Sequence, residues 1–477
     1  MKKVELIKPN TFTVEQHYYT KVINASLHHL VSYFLTLKTD QIIKRYCHLN
    51  PSTNKDVLKS IIEYKPKYMR WAGADLFYVT TEKGNRKIAL IETNSSPSGQ
   101  KSMPLFNEHK EMGGYEFLIK NSFMPLLKDK SLPKGRLAVL YDKNYMEASG
   151  YASALAQIKD ENVFLVPFFN GEENDHISFK DGILHIKHKD KIYPIKAAIR
   201  YVTQKPWNRI PIQTKTLVYN PTIVCLAGGR NKMVAAKAYD LLNSELLGTG
   251  LKINIPETIR DVSKNEIPLW VKRFNGHAVV KVPYSNAGQG VFTITNQKEL
   301  DKFMSKDFGY DQFIVQSLIG NFSWSSIGKV DKFYHIGTLP NKHNDIYVAD
   351  LRFMIVNTKE GIRPVALYAR RAKKPLVNKL PDNRYSWEIL GTNLSVKKGE
   401  NRWTSDTERL LIMDKKDFNI LGIGLDDLIE AYIQAILAFV AIDKMANNLI
   451  NEEGKFKRKL FKSLNTDEKL IHEILVE

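Results

Sequence analysis

Apolar positions along this 477-residue chain alternate between a three-to-four-residue period and a two-residue period, which separates amphipathic helices from strands. From about 14 to 66 the spacing is helical, as in Val22, Ile23, Leu27, Leu30, Val31, Phe34 and Leu35. Two strands follow, Trp71-Ala-Gly-Ala-Asp75-Leu-Phe-Tyr78 and the run Ile88, Ala89, Leu90, Ile91, separated by a turn at Glu82-Lys-Gly-Asn85. A helix is predicted around 114–127. Next come a buried strand at Arg136–Tyr141, a helix at 148–158 and a strand at 162–167, the order of a small parallel β-α-β unit. Asp181-Gly182 marks a hairpin over 177–195, and 197–202 is read as a further strand. Beyond Tyr219-Asn-Pro221 the pattern gives a helix at 231–242 and a strand-rich region at 270–335. It then gives two strands within 346–376 around Lys359-Glu-Gly361, and a long apolar helix at 424–450. The charged tail from Asn451 is expected to fray beyond its last helix.

Composition narrows the class without naming a chemistry. Hydrophobic content of 43% and charged content of 25% suit a folded chain with a sizeable core and two or three structural domains. Cys47 and Cys225 lack metal-ligand spacing, which fits a reducing compartment. The N-terminus has lysines but no apolar core, unlike a secretory signal. The apolar stretch 431–442 is shorter than the roughly 20 residues that span a bilayer, so a cytoplasmic protein with no membrane partner is expected. Neither low-complexity tracts nor repeats are found. The net charge of +19 invites nucleic acid, but the lysines are scattered and no aromatic-basic module is found, so nucleic acid is not expected. A solvated surface or anionic small substrates account for the charge.

Candidate chemistry clusters in four segments. Glu92-Thr-Asn94 ends a strand, and alternation points Glu92 and Asn94 to one face, where carboxylate and amide oxygens can hold Mg2+. Hairpin pairing brings Asp75 beside Glu92. In Lys281-Val-Pro-Tyr-Ser285-Asn286-Ala287-Gly288-Gln-Gly290, small residues let backbone N–H groups approach a polyphosphate, with Lys281 in an otherwise apolar strand. Taken alone, that loop reads equally as a β-turn with an exposed lysine. Gln316 ends a strand before a short linker. Asp350-Leu-Arg352 puts an acid and a guanidinium on one strand face, and the partner strand ends in the cationic cluster Arg370-Arg371-Ala-Lys-Lys374, suited to phosphate or carboxylate. His29, His109, His277 and His343 are candidate acid–base groups, but each reads more simply as structural or surface.

In their order, Lys281, the glycine loop, the Gln316 linker, Asp350-x-Arg352 and Arg370-Arg371 resemble the nucleotide-binding half of an ATP-grasp domain. Asn393 is similar to a further asparagine of that fold's glutamate-ligating members. Gly228-Gly-Arg-Asn-Lys232 resembles the start of the domain. The closing metal hairpin of that fold is missing after Asn393 and occurs early instead, as Glu92-Thr-Asn94 with Pro97-Ser-Gly99. The chain therefore resembles the circularly permuted ATP-grasp family. It departs from the compact members in that Asp75 lies 17 residues before Glu92, a longer hairpin.

The resemblance implies an α/β chain with α+β lobes and a permuted ATP-grasp fold carrying an inserted pre-ATP-grasp α/β domain. Residues 1–131 would supply the N-terminal helices and the metal-binding part, and 132–212 the pre-ATP-grasp domain. Residues 213–335 would form the nucleotide-binding lobes, and 336–477 the C-terminal lobe with closing helices. It implies an ATP-dependent carboxylate–amine ligase working through an acylphosphate, with an ATP-grasp phosphotransferase or a non-catalytic nucleotide-binding protein as alternatives. ATP would be bound by Lys232, Lys281, Ser285, Asn286, Ala287, Gly288, Gly290 and Gln316, and Mg2+ by Asp75, Glu92 and Asn94. Arg352, Arg371 and Lys281 would act on the transferring group. Small-molecule or peptide carboxylates and amines would be the partners, and a homodimer is allowed.

Overall fold

A computed structural model describes residues 3–106, 112–171, 174–285, 290–327, 332–380, 385–397 and 403–476. Three large sheets organise them, in a mixed α/β architecture, with a fourth sheet of two short strands, Ser395–Lys397 and Trp403–Ser405.

The first sheet has seven strands and builds on the predicted β-α-β unit. Arg136–Tyr141 runs parallel to Val163–Pro167, with helix Tyr145–Lys159 between them in sequence. Asp181 (φ 51°) and Gly182 (φ 79°) both adopt the left-handed conformation that a two-residue hairpin turn requires. The expected break between the hairpin and the strand at 197–202 is absent. Lys191–Tyr201 is one strand that pairs antiparallel with Ile183–His188 through Pro194, then parallel with Arg136–Tyr141 from Ile195 onward. Glu5–Ile7 and Leu217–Tyr219, from either side of the 132–212 block, join the same sheet.

The second sheet is antiparallel, in the order Thr258–Ser263, Gln312–Ser317, Ala278–Lys281, Val291–Ile294. Helices Ile267–Arg273 and Gln297–Met304 pack on it through Ile267, Val271, Leu300 and Phe303. Helix Gln297–Met304 corrects the strand-rich reading of 270–335. Leu300, Phe303 and Met304 have helical spacing, and Asn296 caps the start by accepting from Glu299 N–H.

The third sheet joins the two ends of the sequence. Strand Trp71–Thr81 has Arg86–Ser95 along one edge. Along the other it faces Ala349–Thr358 over Trp71 to Phe77, and Phe333–His335 over Val79 to Thr81. Gly361–Arg371 pairs next to Ala349–Thr358, and Leu410–Leu411 follows. Helix Leu425–Asn448 packs against this sheet with almost every apolar side chain buried. No helix among the described residues is long and apolar enough to cross a membrane. The tail does not fray as expected. Helices Arg458–Leu464 and Glu468–Ile474 bury Phe461, Leu470, Ile471 and Ile474. Asp467 accepts from the backbone N–H of Asp311 (2.8 Å) and Gln312 (2.9 Å), tying the tail to the second sheet.

Two polar clamps hold the early hairpin. Asn220 accepts from Arg70 N–H (2.7 Å) and donates to Trp71 C=O (2.6 Å). Asp443, fully buried in the long helix, accepts from Tyr64 Oη (2.9 Å) and from the N–H groups of Lys67 (3.0 Å), Tyr68 (2.8 Å) and Met69 (2.6 Å). Asp443→Ala strands these buried donors and is expected to cost about 3 kcal/mol, whereas Tyr64→Phe, removing one donor, costs about 1 kcal/mol. Urea unfolding combined with hydrogen exchange at residues 67–69 measures both. Equal, small losses for the two variants would show that the clamp is not cooperative.

Candidate functional site

A cavity of about 760 Å³ opens where the three sheets meet. One wall is the face shared by four strands of the third sheet. Register sets Asp75 opposite both Arg352 and Glu92, Arg352 opposite Tyr368, and Asp350 opposite Arg370. Alternation sends all of these to one face, and all of them line the cavity. A register shift after Asp75 leaves Ile91 as an extra residue, and its freed carbonyl accepts from Lys281 Nζ at 3.3 Å.

Asp75 is enclosed by cations. Arg352 reaches it with two N–H groups, from Nε and from Nη2 at 2.6 Å, and Arg370 Nη2 lies 3.2 Å away. Arg370 also holds Asp350, from Nε at 2.9 Å and from Nη2. Burial works against the Asp75 carboxylate, yet these guanidiniums hold its pKa below the usual carboxylate range. Both of its oxygens are thereby engaged, so Asp75 does not offer the free carboxylate expected of a metal ligand. Glu92 is freer: its nearest cation is Lys232 Nζ at 3.7 Å. Asn94 Oδ1 accepts from Arg230 (3.0 Å), while its Nδ2 is buried with no partner among the described residues.

The opposite wall comes from the second sheet. Lys281 is buried rather than exposed, which removes the simple β-turn reading. Burial pushes its ammonium pKa down to about 8, against the pull of Glu92 and Asp75. Lys232 Nζ donates to the carbonyl and the hydroxyl of Ser285, each at 3.2 Å, and anchors the start of the glycine loop. Gly290 closes the base of the loop by accepting from Val282 N–H (2.9 Å). Asn286, Ala287 and Gly288 lie outside the described residues. Gln316 lines the cavity and donates to Thr258 Oγ1 (2.7 Å), with Ser317, Leu318 and Ile319 beside it. Asn393 also lines the cavity.

Arg371 corrects one expectation. It follows Arg370 on the same strand and so faces the other side of the sheet, over the Tyr347 ring at 4.7 Å. Arg370 occupies the cavity position instead. Among the four histidines considered, His29 stacks on His28, His343 sits in an exposed turn, and burial lowers the pKa of His277. His109 lies outside the described residues. The histidine that does line the cavity is His335, whose pKa burial pushes down to about 3.

Three further groups escaped sequence reasoning. Arg230 donates to Asn94, to Ser95 C=O (2.7 Å) and to Ser96 C=O (3.2 Å). Lys143, between a strand and helix Tyr145–Lys159, has its pKa pushed down to about 7 by burial and then by Arg230 and Arg352. Glu147 fixes the Pro97-Ser-Gly99 turn by accepting from Ser98 Oγ (2.7 Å), Gly99 N–H (2.8 Å) and Gln100 N–H (3.1 Å). The turn packs so tightly that a Cβ on Gly99 would lie 2.9 Å from the Tyr368 ring. Arg230 lies within the 228–232 segment but no local pattern gives it a role of its own there, and Lys143 and Glu147 belong to no short motif; only the meeting of distant segments reveals what the three contact.

No protein-family model and no curated protein matches the chain. Among solved structures, it is similar to a glutathione-synthetase-like effector from Globodera pallida. That match has 9% identity and a TM-score of 0.39, and covers 77% of this chain and 87% of that one. It is also similar to D-alanyl-alanine synthetase A from Vibrio cholerae, at 13% identity and a TM-score of 0.33, covering 49% and 88%. A RimK-domain ATP-grasp protein from Sphaerobacter thermophilus is similar at 13% identity and a TM-score of 0.29, covering 49% and 90%.

The depressed pKa of Lys281 gives a signed expectation. Its ammonium is charged below about pH 8 and is lost as pH rises through that value, so polyphosphate affinity should fall by up to about tenfold per pH unit above it. Calorimetric titration of ATP at pH 7 and 9 tests this, and Lys281→Arg should flatten the decline. Equal affinities for the unaltered protein at both pH values would remove Lys281 from the anion site.

Proposed function

We propose that this chain is an ATP-dependent ligase of the ATP-grasp type, permuted in order, that activates a carboxylate as an acylphosphate and joins it to an amine, releasing ADP and phosphate. The observation that carries this reading is the single cavity joining Glu92 and Asn94 from an early hairpin with Lys281 and Gln316 of a second sheet and the Arg352–Arg370 pair of late strands. Pairing of Trp71–Thr81 with Ala349–Thr358 supports the permuted order, because an early hairpin completes a late sheet. In this reading, 1–131, 213–335 and 336–477 build one catalytic unit around the 132–212 domain.

Lys281 and Lys232 hold phosphate oxygens, with Ser285 and Gly290 at the two described ends of the glycine loop beside them. Gln316 and the backbone after it read the base. Arg352 and Arg370 bind the carboxylate and the transferring phosphoryl group, where charge neutralisation and alignment lower the barrier. Asp75 is a positioning residue that fixes both guanidiniums. Glu92 fits Mg2+ as the freer carboxylate, whereas Asn94 Oδ1 already accepts from Arg230 and would have to share or give up that contact; Mg2+ takes one or two protein oxygens and completes its shell with phosphate and water. When bound there, the ion neutralises phosphate charge. Covering the site excludes water, to which an acylphosphate is labile.

Pools of carboxylates with Mg-ATP and hydroxylamine test the reaction. Hydroxamate should form together with ADP and phosphate, and Glu92→Gln should lower its rate by at least about a hundredfold. AMP and pyrophosphate as products would refute acylphosphate chemistry.

A further inference from the structure

A three-residue hydrogen-bond relay on the second sheet fixes which way one cavity amide faces. Thr258 Oγ1 donates to Pro256 C=O (2.7 Å), a carbonyl that can only accept. The hydroxyl has a single proton, so toward Gln316 the same oxygen can only accept. It is therefore Gln316 Nε2 that donates to it (2.7 Å). Gln316 Oε1 is thereby turned away from Thr258, and among the described residues no hydrogen bond reaches it.

The register of the sheet shows where that acceptor stands. Thr258, Gln316, Val279 and Thr293 oppose one another in turn across all four strands, and the last three line the cavity. Lys281 is two residues along from Val279, one row further on the same face, roughly 7 Å at the rise of a strand. The wall thus carries a neutral acceptor at a fixed step from the lysine that the proposed function gives to phosphate, with the apolar Val279 and Leu318 beside it. Leu318 adds no reader of its own, since its N–H donates to Ser326 Oγ (2.6 Å) and its C=O accepts from Ser326 N–H (3.0 Å). An amide free to turn over could meet a base edge with either its carbonyl or its amino group. The relay removes that choice.

Resting on the nucleotide site of the ligase reading, we propose that Thr258 is a positioning residue that locks Gln316 with its acceptor toward the base, so that the site takes adenine nucleotides and rejects purines that present a carbonyl at the same edge. The exocyclic amino group of adenine donates to Oε1, whereas a carbonyl there sets two acceptors against each other. Thr258 does not itself touch the base and acts only through Gln316.

The test is calorimetric titration of the full chain, with Mg2+ and no carboxylate, by ATP and by inosine triphosphate, which presents a carbonyl where adenine presents its amino group. ATP should bind at least about tenfold more tightly. Thr258→Val should cut that preference at least about threefold, with inosine triphosphate gaining affinity because the released amide can turn Nε2 toward the carbonyl. Thr258→Ser, which keeps the hydroxyl, should keep the preference. A residue that only supported the fold would weaken both nucleotides alike. Equal affinities in the unaltered protein, or no gain for inosine triphosphate in Thr258→Val, overturns the relay. A Thr258-dependent preference for ATP in a protein that forms no hydroxamate with any carboxylate would overturn the ligase reading and leave the relay standing.

Discussion

The site depends on a charge lattice laid across three strands, Asp75 against Arg352 and Arg370, and Arg370 against Asp350. Asp75 and Arg352 are 277 positions apart in sequence, so the lattice forms only when the early hairpin enters the late sheet. A slip of one residue would send Arg352 to the opposite face and leave buried charges unpaired. Removing one partner of such a buried set typically costs about 3–5 kcal/mol, although the intact set adds little net stability. Its value lies in specificity of register and in orientation. Two carboxylates balance two guanidiniums, and Nη1 of each arginine has no protein partner among the described residues. The arginines are thus held rigid while retaining a donor each.

A second constraint acts at right angles to the first. Glu147 belongs to a helix of the seven-stranded sheet, yet its carboxylate fixes the turn immediately after the strand that carries Glu92 and Asn94. The same helix is preceded by Lys143 and Asn144, so one short segment both anchors the turn and furnishes part of the cavity wall. The parallel-sheet domain is therefore a structural member of the site and not an appendage beside it. Lys232 does the matching service on the other side, joining Glu92 to the first residue of the glycine loop.

Period-two alternation made much of this legible from sequence. It placed Glu92 with Asn94, and Asp350 with Arg352, because side chains two apart on a strand share a face whatever the sheet's partners are. It could not choose between Arg370 and Arg371, since that choice follows from the register with Asp350, which no local pattern encodes. Lys143, Arg230 and His335 were illegible for a different reason: each reaches the cavity only through neighbours from other elements, and even the 228–232 segment gave no sign that its arginine would turn toward Asn94. The tail helices were misjudged because Phe461, Leu470, Ile471 and Ile474 are sparse among charges and find their partners only in the folded chain. The break expected before 197–202 disappeared because a strand can change partners without changing its own course.

The lattice also weighs on what else the cavity could be. A protein that only binds nucleotide needs the wall of Lys281 and Gln316, and has no use for two buried arginines held on the other wall with their acids. A phosphotransferase working through phosphohistidine needs a neutral imidazole with a free nitrogen close to the transferred group. His335 is neutral, since burial depresses its pKa to about 3. However, it lies opposite Val79, four residues along the strand from Asp75, which is roughly 13 Å at the rise of a β-strand. Its ring packs edge-on against Phe77 with centroids 4.5 Å apart, and its Nδ1 is sealed from solvent. A histidine fixed in that way, beside the 317–319 stretch of the cavity, serves as a wall. Under the proposed function the groups beside a transferred phosphoryl are Glu92, Lys281 and Arg352, while Asp75 and Asp350 are held by their guanidinium partners and are not free to attack it.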